Sequence, residues 1–420
     1  MAAFNPIYET DSAMHICLFT ENFNKGGLDT FLINLINFWP NPQDKLTLLC
    51  NENHPGIEII LNKTNGRVNV RSYRRLFLSN ISRGYSSFWN GQYKPLKKIF
   101  GGIYRLFQYP ILLPWYILTL TVFFKKSQFE RMMVVNGGYP GSLLCRAAAI
   151  AWKISGKNTK CIFNIHSSAS RPSKLISPVE NLIDRLIITS VKSFICVSKS
   201  SIAYLKKRDA FSNSNKVCYV YNGIADPAGE NFSKFKKIKK TLQPPYVLML
   251  ATLDKYKGHE FLLKSFHKII QAIPNAELKI FGHGSSEQRK YIQDKISELH
   301  LNEKVFFGNF IPNPESYIFN ASVMVVPSQD YEAFGLTIIE AMALQTPIVA
   351  TDVGGIPEVL EGSDAGFICG KDNLDQFAKN ICDILQDDSL AERLGTNGRK
   401  TFEKRFDASI MANQYYMALK

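Results

Sequence analysis

Two short apolar runs, Val323-Met324-Val325-Val326 and Pro347 to Ala350, stand on either side of an apolar-periodic helical stretch and close in the turn Gly354-Gly355. Runs with no polar alternation have no face to offer water, so they belong to strands covered on both sides. Strand, helix and strand in that order make a βαβ unit with parallel strands. The helix between them is expected to start at Phe334-Gly335, at the carboxyl ends of the strands. The N–H groups of Phe334, Gly335 and Leu336 then face that edge without intrahelical acceptors, an arrangement suited to a diphosphate. Gly335 lets the backbone approach such a ligand closely.

The rest of the chain repeats this scheme. Ile16 to Phe19, Leu46 to Cys50, Met132 to Val135, Cys161 to Ile165 and Phe194 to Val197 read as strands of a first half. Tyr246 to Leu250, Leu278 to Phe281, Val305 to Phe307, Val323 to Val326 and Ile348 to Ala350 read as strands of a second. Helices are expected at 258–272, 286–299, 314–320 and 335–344. A chain of 420 residues exceeds what one core usually serves. We therefore expect an α/β protein of two doubly wound domains. The first covers 1–230, a polar basic linker covers 231–244, the second covers 245–405, and a terminal helix at 406–420 crosses back to the first domain.

Charge is unevenly placed. Residues 1–225 carry 28 Lys and Arg against 11 Asp and Glu, whereas 226–420 carry 22 against 25. The first half therefore favours an anionic surface. Within it, Leu106 to Phe124 holds no charged residue, but Pro110 and Pro114 interrupt the run. A buried helix with an apolar loop and a helix docked on a membrane surface both stay open for 99–124. The eight cysteines stand in no metal-ligand or redox spacing and read as reduced core thiols. The first residues lack the basic flank and apolar core of a signal peptide, so a cytoplasmic protein is expected.

Glu340, one turn into the helix, can accept two vicinal ribose hydroxyls. Glu332 lies in the preceding loop, nearer to a sugar carried on the diphosphate. Each feature alone is ordinary for an αβ protein; their order along the chain is not.

The segment from Glu332 to Leu360, with its AFGL, EAMA and PIVATDVGGIPEVL strings, resembles the retaining nucleotide-sugar glycosyltransferases of the GT-B fold, family 4. The resemblance is strong from about 245 to 406 and patchy but collinear before that. It implies two Rossmann-like domains facing a cleft, with the nucleotide sugar on the second and the acceptor on the first. It places Glu332 by the donor sugar, Glu340 on the ribose and Lys257 on the diphosphate. Thr252 stands where the family carries an arginine, a departure that removes a bidentate phosphate donor. Gly282, Phe310 and Ile311 correspond to turns lining the nucleotide pocket. Gly26-Gly27 corresponds to a glycine pair near the donor phosphates, and His166 to a histidine near the sugar hydroxyls. Glu332, His166 and Lys257 are thus the catalytic candidates.

The resemblance further implies front-face transfer with retention, no metal and no cofactor beyond the nucleotide-sugar donor as co-substrate. A UDP-sugar is favoured as donor. Together with the basic first half, it points to a glycan or glycolipid acceptor at an anionic membrane surface, as in lipopolysaccharide or capsule assembly, with the protein peripheral on the inner face. No nucleic acid partner is expected. A DNA-modifying glucosyltransferase and a non-catalytic sugar-nucleotide-binding subunit are the alternatives.

Overall fold

The apolar runs become strands because nothing else can cover both of their faces. The structure, a computed structural model, describes residues 12–23, 26–73, 108–229 and 244–420. The expected linker, but for Pro244, and the basic residues Lys25, Arg74, Arg75, Arg83, Lys94, Lys97 and Lys98 lie outside the described residues.

Two compact units emerge. The first comprises Met1–Cys196, Tyr204–Cys218 and Ala412–Lys420; the second comprises Val197–Ala203 and Tyr219–Met411. In chain order the first half holds β1 (His15–Thr20), α1 (Gly27–Asn37), β2 (Lys45–Asn51), α2 (Ile57–Lys63), β3 (Val68–Tyr73) and α3 (Leu113–Lys126). It continues with β4 (Arg131–Asn136), α4 (Leu143–Ile154), β5 (Cys161–Ile165), α5 (Ser177–Ser190), β6 (Val191–Cys196), α6 (Lys199–Lys206) and β7 (Val217–Tyr219). Its sheet runs β3-β2-β1-β4-β5-β6-β7. The pairs from β3 to β6 are parallel, with Phe19 opposite both Leu49 and Val134.

The second half holds β8 (Tyr246–Leu250), α7 (His259–Ala272), β9 (Glu277–Phe281), α8 (Ser286–Glu298), β10 (Val305–Gly308), α9 (Glu315–Asn320) and β11 (Val323–Val326). Then follow α10 (Leu336–Ala343), β12 (Ile348–Thr351), α11 (Ile356–Leu360), β13 (Gly366–Cys369), α12 (Leu374–Gln386), α13 (Asp388–Arg405) and α14 (Ala408–Leu419). Its parallel sheet runs β10-β9-β8-β11-β12-β13. Alternate residues serve opposite faces: Met324 and Val326 join one buried cluster, Val323 and Val325 the other. Strand order reverses between β8 and β11, which opens a crevice at their carboxyl ends.

In the first unit, α3 settles half of the question left by the uncharged stretch. Pro114 sits in its first turn, where a missing N–H costs nothing. Leu113, Tyr116 and Phe124 are buried, and Phe124 packs edge-on against Trp152 of α4 at 5.4 Å. The opposite side of the helix is exposed. Among the described residues no helix is long and apolar enough to cross a membrane. Deeper in the same unit, Arg146 bonds Glu180 at 3.2 Å. Arg208 bonds Asp184 at 2.8 Å and Glu180 at 2.5 Å, and Tyr139 donates to Asp184 at 2.6 Å. All five side chains are buried. Two cations balance two carboxylates, so no isolated charge is left in the interior.

Candidate active site at the carboxyl edge of the second sheet

The loops that follow β8 and β11 meet at the point where strand order reverses. Gly258 makes this possible. It adopts φ +82°, and a Cβ there would lie 1.8 Å from the Pro327 carbonyl oxygen, so only glycine allows the approach. Gln329 N donates to Tyr256 O at 2.7 Å across the same junction. The result is a direct ion pair: Lys257 Nζ lies 2.5 Å from Glu332 Oε2, with the side chains 19% and 16% exposed. Burial works against the Lys257 ammonium. The charge and hydrogen bond of Glu332 outweigh it, and the lysine pKa ends above its ordinary value.

Glu332 is held by its backbone. Gly355 N donates to Glu332 O at 2.7 Å. Gly354, at φ +61°, lies so close that a Cβ would come 2.1 Å from the same oxygen. Ser198 Oγ donates to Ala333 O at 2.8 Å, and Ser201 Oγ lies 2.9 Å from Tyr331 OH. Glu358, the acid of the GGIPE turn, accepts from Lys199 N at 2.7 Å and Ser200 N at 2.6 Å, which fixes the start of α6. Sequence reasoning missed Ser198 and Ser201, since two serines after an apolar strand carry no distinguishing signal.

Helix α10 begins at Leu336, with Gly335 as its N-cap at φ 91°. Ile338 N donates to Gly335 O at 3.0 Å, so the N–H groups of Leu336 and Thr337 have no intrahelical acceptor. The helix thus starts just after the expected Phe334-Gly335. The Phe334 side chain is buried and packs against Tyr221 and Phe406, each at 5.8 Å, so its residue precedes the helix and anchors the loop. Glu340 sits one turn on. Its pKa is pushed up to about 7, first by burial and then by the nearby charge of Glu315.

Thr252 Oγ1 donates to Asp254 Oδ2 at 2.7 Å, and Gln288 Nε2 donates to Asp254 Oδ1 at 3.1 Å. The threonine thus fastens its own loop. Gly282 closes β9 against β8: a Cβ there would lie 1.8 Å from Ala251 O. Phe310 is 61% exposed beyond the end of β10, with its ring edge-on to His283 at 5.7 Å, and Ile311 packs against the core. Arg289, which sequence reasoning passed over, donates from Nη2 to Gly282 O and Gly308 O, both at 3.3 Å.

Gly26, Gly27 and His166 belong to the first unit. Gly26 is the N-cap of α1, and its N–H donates to Asp29 Oδ2 at 3.1 Å. His166 leaves β5 with its N–H on Asn136 O at 3.0 Å and its ring 4.1 Å from that of Phe31. Burial pushes its pKa down to about 3, so the imidazole is neutral at physiological pH.

Residues 230–401 match the family model of Glycosyl transferases group 1. The chain is 28% identical over 242 residues to the capsular polysaccharide biosynthesis glycosyltransferase CapM of Staphylococcus aureus, covering 55% of this chain and 62% of that protein. It is 24% identical over 322 residues to N-acetyl-alpha-D-glucosaminyl L-malate synthase of Bacillus anthracis, covering 74% and 80%. The fold matches that of Anabaena HepE, solved in complex with UDP, with a TM-score of 0.69 and 16% identity over 97% of this chain and 99% of that one. Two parallel-sheet, Rossmann-like units of the GT-B type are the shared architecture.

Proposed function

We propose that this chain is a retaining, metal-independent glycosyltransferase of family 4. It moves a sugar from a nucleotide diphosphate sugar, a UDP-sugar foremost, to a hydroxyl of a lipid-tethered glycan precursor. One observation carries this reading: where the strand order reverses, the Lys257–Glu332 pair lies beside the start of α10, whose first N–H groups have no intrahelical acceptor and which carries Glu340 one turn on. That set offers a cation and N–H donors for a diphosphate, a carboxylate for ribose hydroxyls, and a second carboxylate for the sugar. CapM and HepE, the one a capsule glycosyltransferase by name and the other a complex with UDP, support the same class.

In the proposed reaction the anomeric carbon–diphosphate bond breaks while the acceptor oxygen bonds to the same face of that carbon. The acceptor proton passes to the departing phosphate oxygen, so no side chain need serve as base. Lys257 and the N–H groups of Leu336 and Thr337 stabilise the charge that develops on the leaving group. Glu332 orients the donor sugar through its hydroxyls. With Thr252 engaged by Asp254, Lys257 bears more of the diphosphate charge than an arginine-assisted site would require.

A panel of nucleotide sugars, screened for thermal stabilisation and slow donor hydrolysis, tests it. One donor class should stabilise and be hydrolysed, and Glu332→Gln should abolish hydrolysis while nucleotide binding survives. Hydrolysis unaffected by Glu332→Gln would sink the catalytic assignment.

A further inference from the structure

Helices α3 and α5 both pack on α4, and the three lie on one face of the first unit's sheet. Each outer helix carries a second apolar line on its solvent side. Ile111, Trp115, Leu118 and Val122, on α3 and the turn before it, are 53%, 47%, 60% and 48% exposed. Leu175, Val179, Leu182 and Leu186, on α5 and the residues before it, are 93%, 42%, 60% and 45% exposed. Both sets step by four, three and four residues, which keeps each on one flank of its helix. Two continuous ridges differ from the scattered apolar residues of an ordinary surface.

The exposed charge carried by these three helices has one sign, and Asp209, which accepts from Asn181 of α5, adds an exposed acid beside them. The acids of α3, α4 and α5 are Glu180 and Asp184, and both are turned inward onto Arg146 and Arg208. The exposed charged side chains of the three helices are Lys125, Lys126, Lys153 and Arg185. No acidic side chain on them faces solvent.

We propose that the α3–α5 face docks on the surface of a bilayer containing anionic lipid. The two ridges enter the boundary between headgroups and acyl chains, and the four cations meet lipid phosphates. A second copy is the poorer occupant, because a two-fold contact would press the four cations together with no exposed acid on the three helices to relieve them. Docking is read from this face alone. That the surface also carries the acceptor rests on the proposed function.

The test is co-sedimentation of the whole chain, without donor or acceptor, on phosphatidylcholine vesicles with or without about 30% phosphatidylglycerol. The protein should pellet with the anionic vesicles and much less with the zwitterionic ones. Trp115→Glu with Leu182→Glu should weaken retention at least about tenfold, as should Lys125→Ala with Lys126→Ala and Arg185→Ala. Thermal stabilisation by nucleotide should be unchanged in both variants, which reports that they fold. Absence of wild-type retention overturns the proposal, and so does equal retention on both vesicle types. It also falls if the glutamate variant binds undiminished, or if the wild type forms a dimer in solution that this variant dissolves. Loss of vesicle binding with donor hydrolysis intact would defeat the docking face alone; the reverse would defeat the catalytic reading alone.

Discussion

Replacing Glu332 by glutamine should tighten the binding of a bare nucleoside diphosphate while stopping sugar transfer. Lys257 is engaged, at 2.5 Å, by a carboxylate whose side chain is 16% exposed. Phosphate must draw the ammonium away from that carboxylate or share it. A charge-assisted contact of this kind, partly screened by solvent, contributes about 1 to 1.5 kcal/mol net. Glutamine keeps the shape and removes the charge, so the same energy returns as affinity, about five- to tenfold. Isothermal titration with the diphosphate of whichever donor the panel selects measures this without the sugar, where Glu332 has its second role. In parallel, Lys257→Ala should weaken the same titration by about tenfold or more, the scale of losing a hydrogen bond to a charged group. If Glu332→Gln weakens diphosphate binding as far as Lys257→Ala does, the pair is not in competition with phosphate and the diphosphate has been misplaced. A mild Lys257→Ala would refute the same placement from the other side.

Three further outcomes follow from α10 and the Glu332 loop. Ribose hydroxyls donate best to an ionised acceptor, and the Glu340 pKa is raised to about 7, so nucleotide affinity should climb between pH 6 and 8 and the climb should vanish in Glu340→Gln. Because this folded-state value lies above the ordinary 4.5, the group's stabilising contribution is greatest below 4.5 and is lost as pH rises to about 7. Denaturant titration of wild type and Glu340→Gln across that window should show their stabilities diverging in the glutamine variant's favour. Gly354→Ala places a methyl at φ +61° against the Glu332 carbonyl, costing at least about 1 kcal/mol in backbone strain alone. Transfer should fall about a hundredfold or more, and a variant retaining most of its activity would show that this turn does not set the position of Glu332.

The strands that carry the site were legible because their residues are apolar on both faces, as in Val323 to Val326. The strands passed over were β3, β7 and β13, all at or beside a sheet edge. Val68–Tyr73 has only its first residue buried, and Val217–Tyr219 is three residues long. Edge strands need no apolar face, so their sequences carry little signal. Glu332 and Glu340 stood out through the resemblance of the whole string around them, since two glutamates eight apart at a helix start carry little signal alone. The pairing of Glu332 with Lys257 did not, since the two stand 75 residues apart and meet only because Gly258 allows β8's loop to reach β11's. The roles of Ser198, Ser201 and Arg289 were equally invisible. Each acts through a main-chain carbonyl or a neighbouring hydroxyl, and such contacts place no demand on the residues around them in sequence.

The seven residues Val197–Ala203 fold with the second unit although the chain on both sides of them folds with the first. Ser198 and Ser201 hold the Glu332 loop from there, and the N–H groups of Lys199 and Ser200 receive Glu358. The second unit is therefore not a cassette that a single cut before Tyr246 could release. A truncated gene product starting there would carry Glu332 and Lys257 but leave Glu358 without its two N–H donors. Swapping the second unit between relatives to change donor choice would succeed only if this short stretch, separated from the rest of the unit by Tyr204–Cys218, travelled with it.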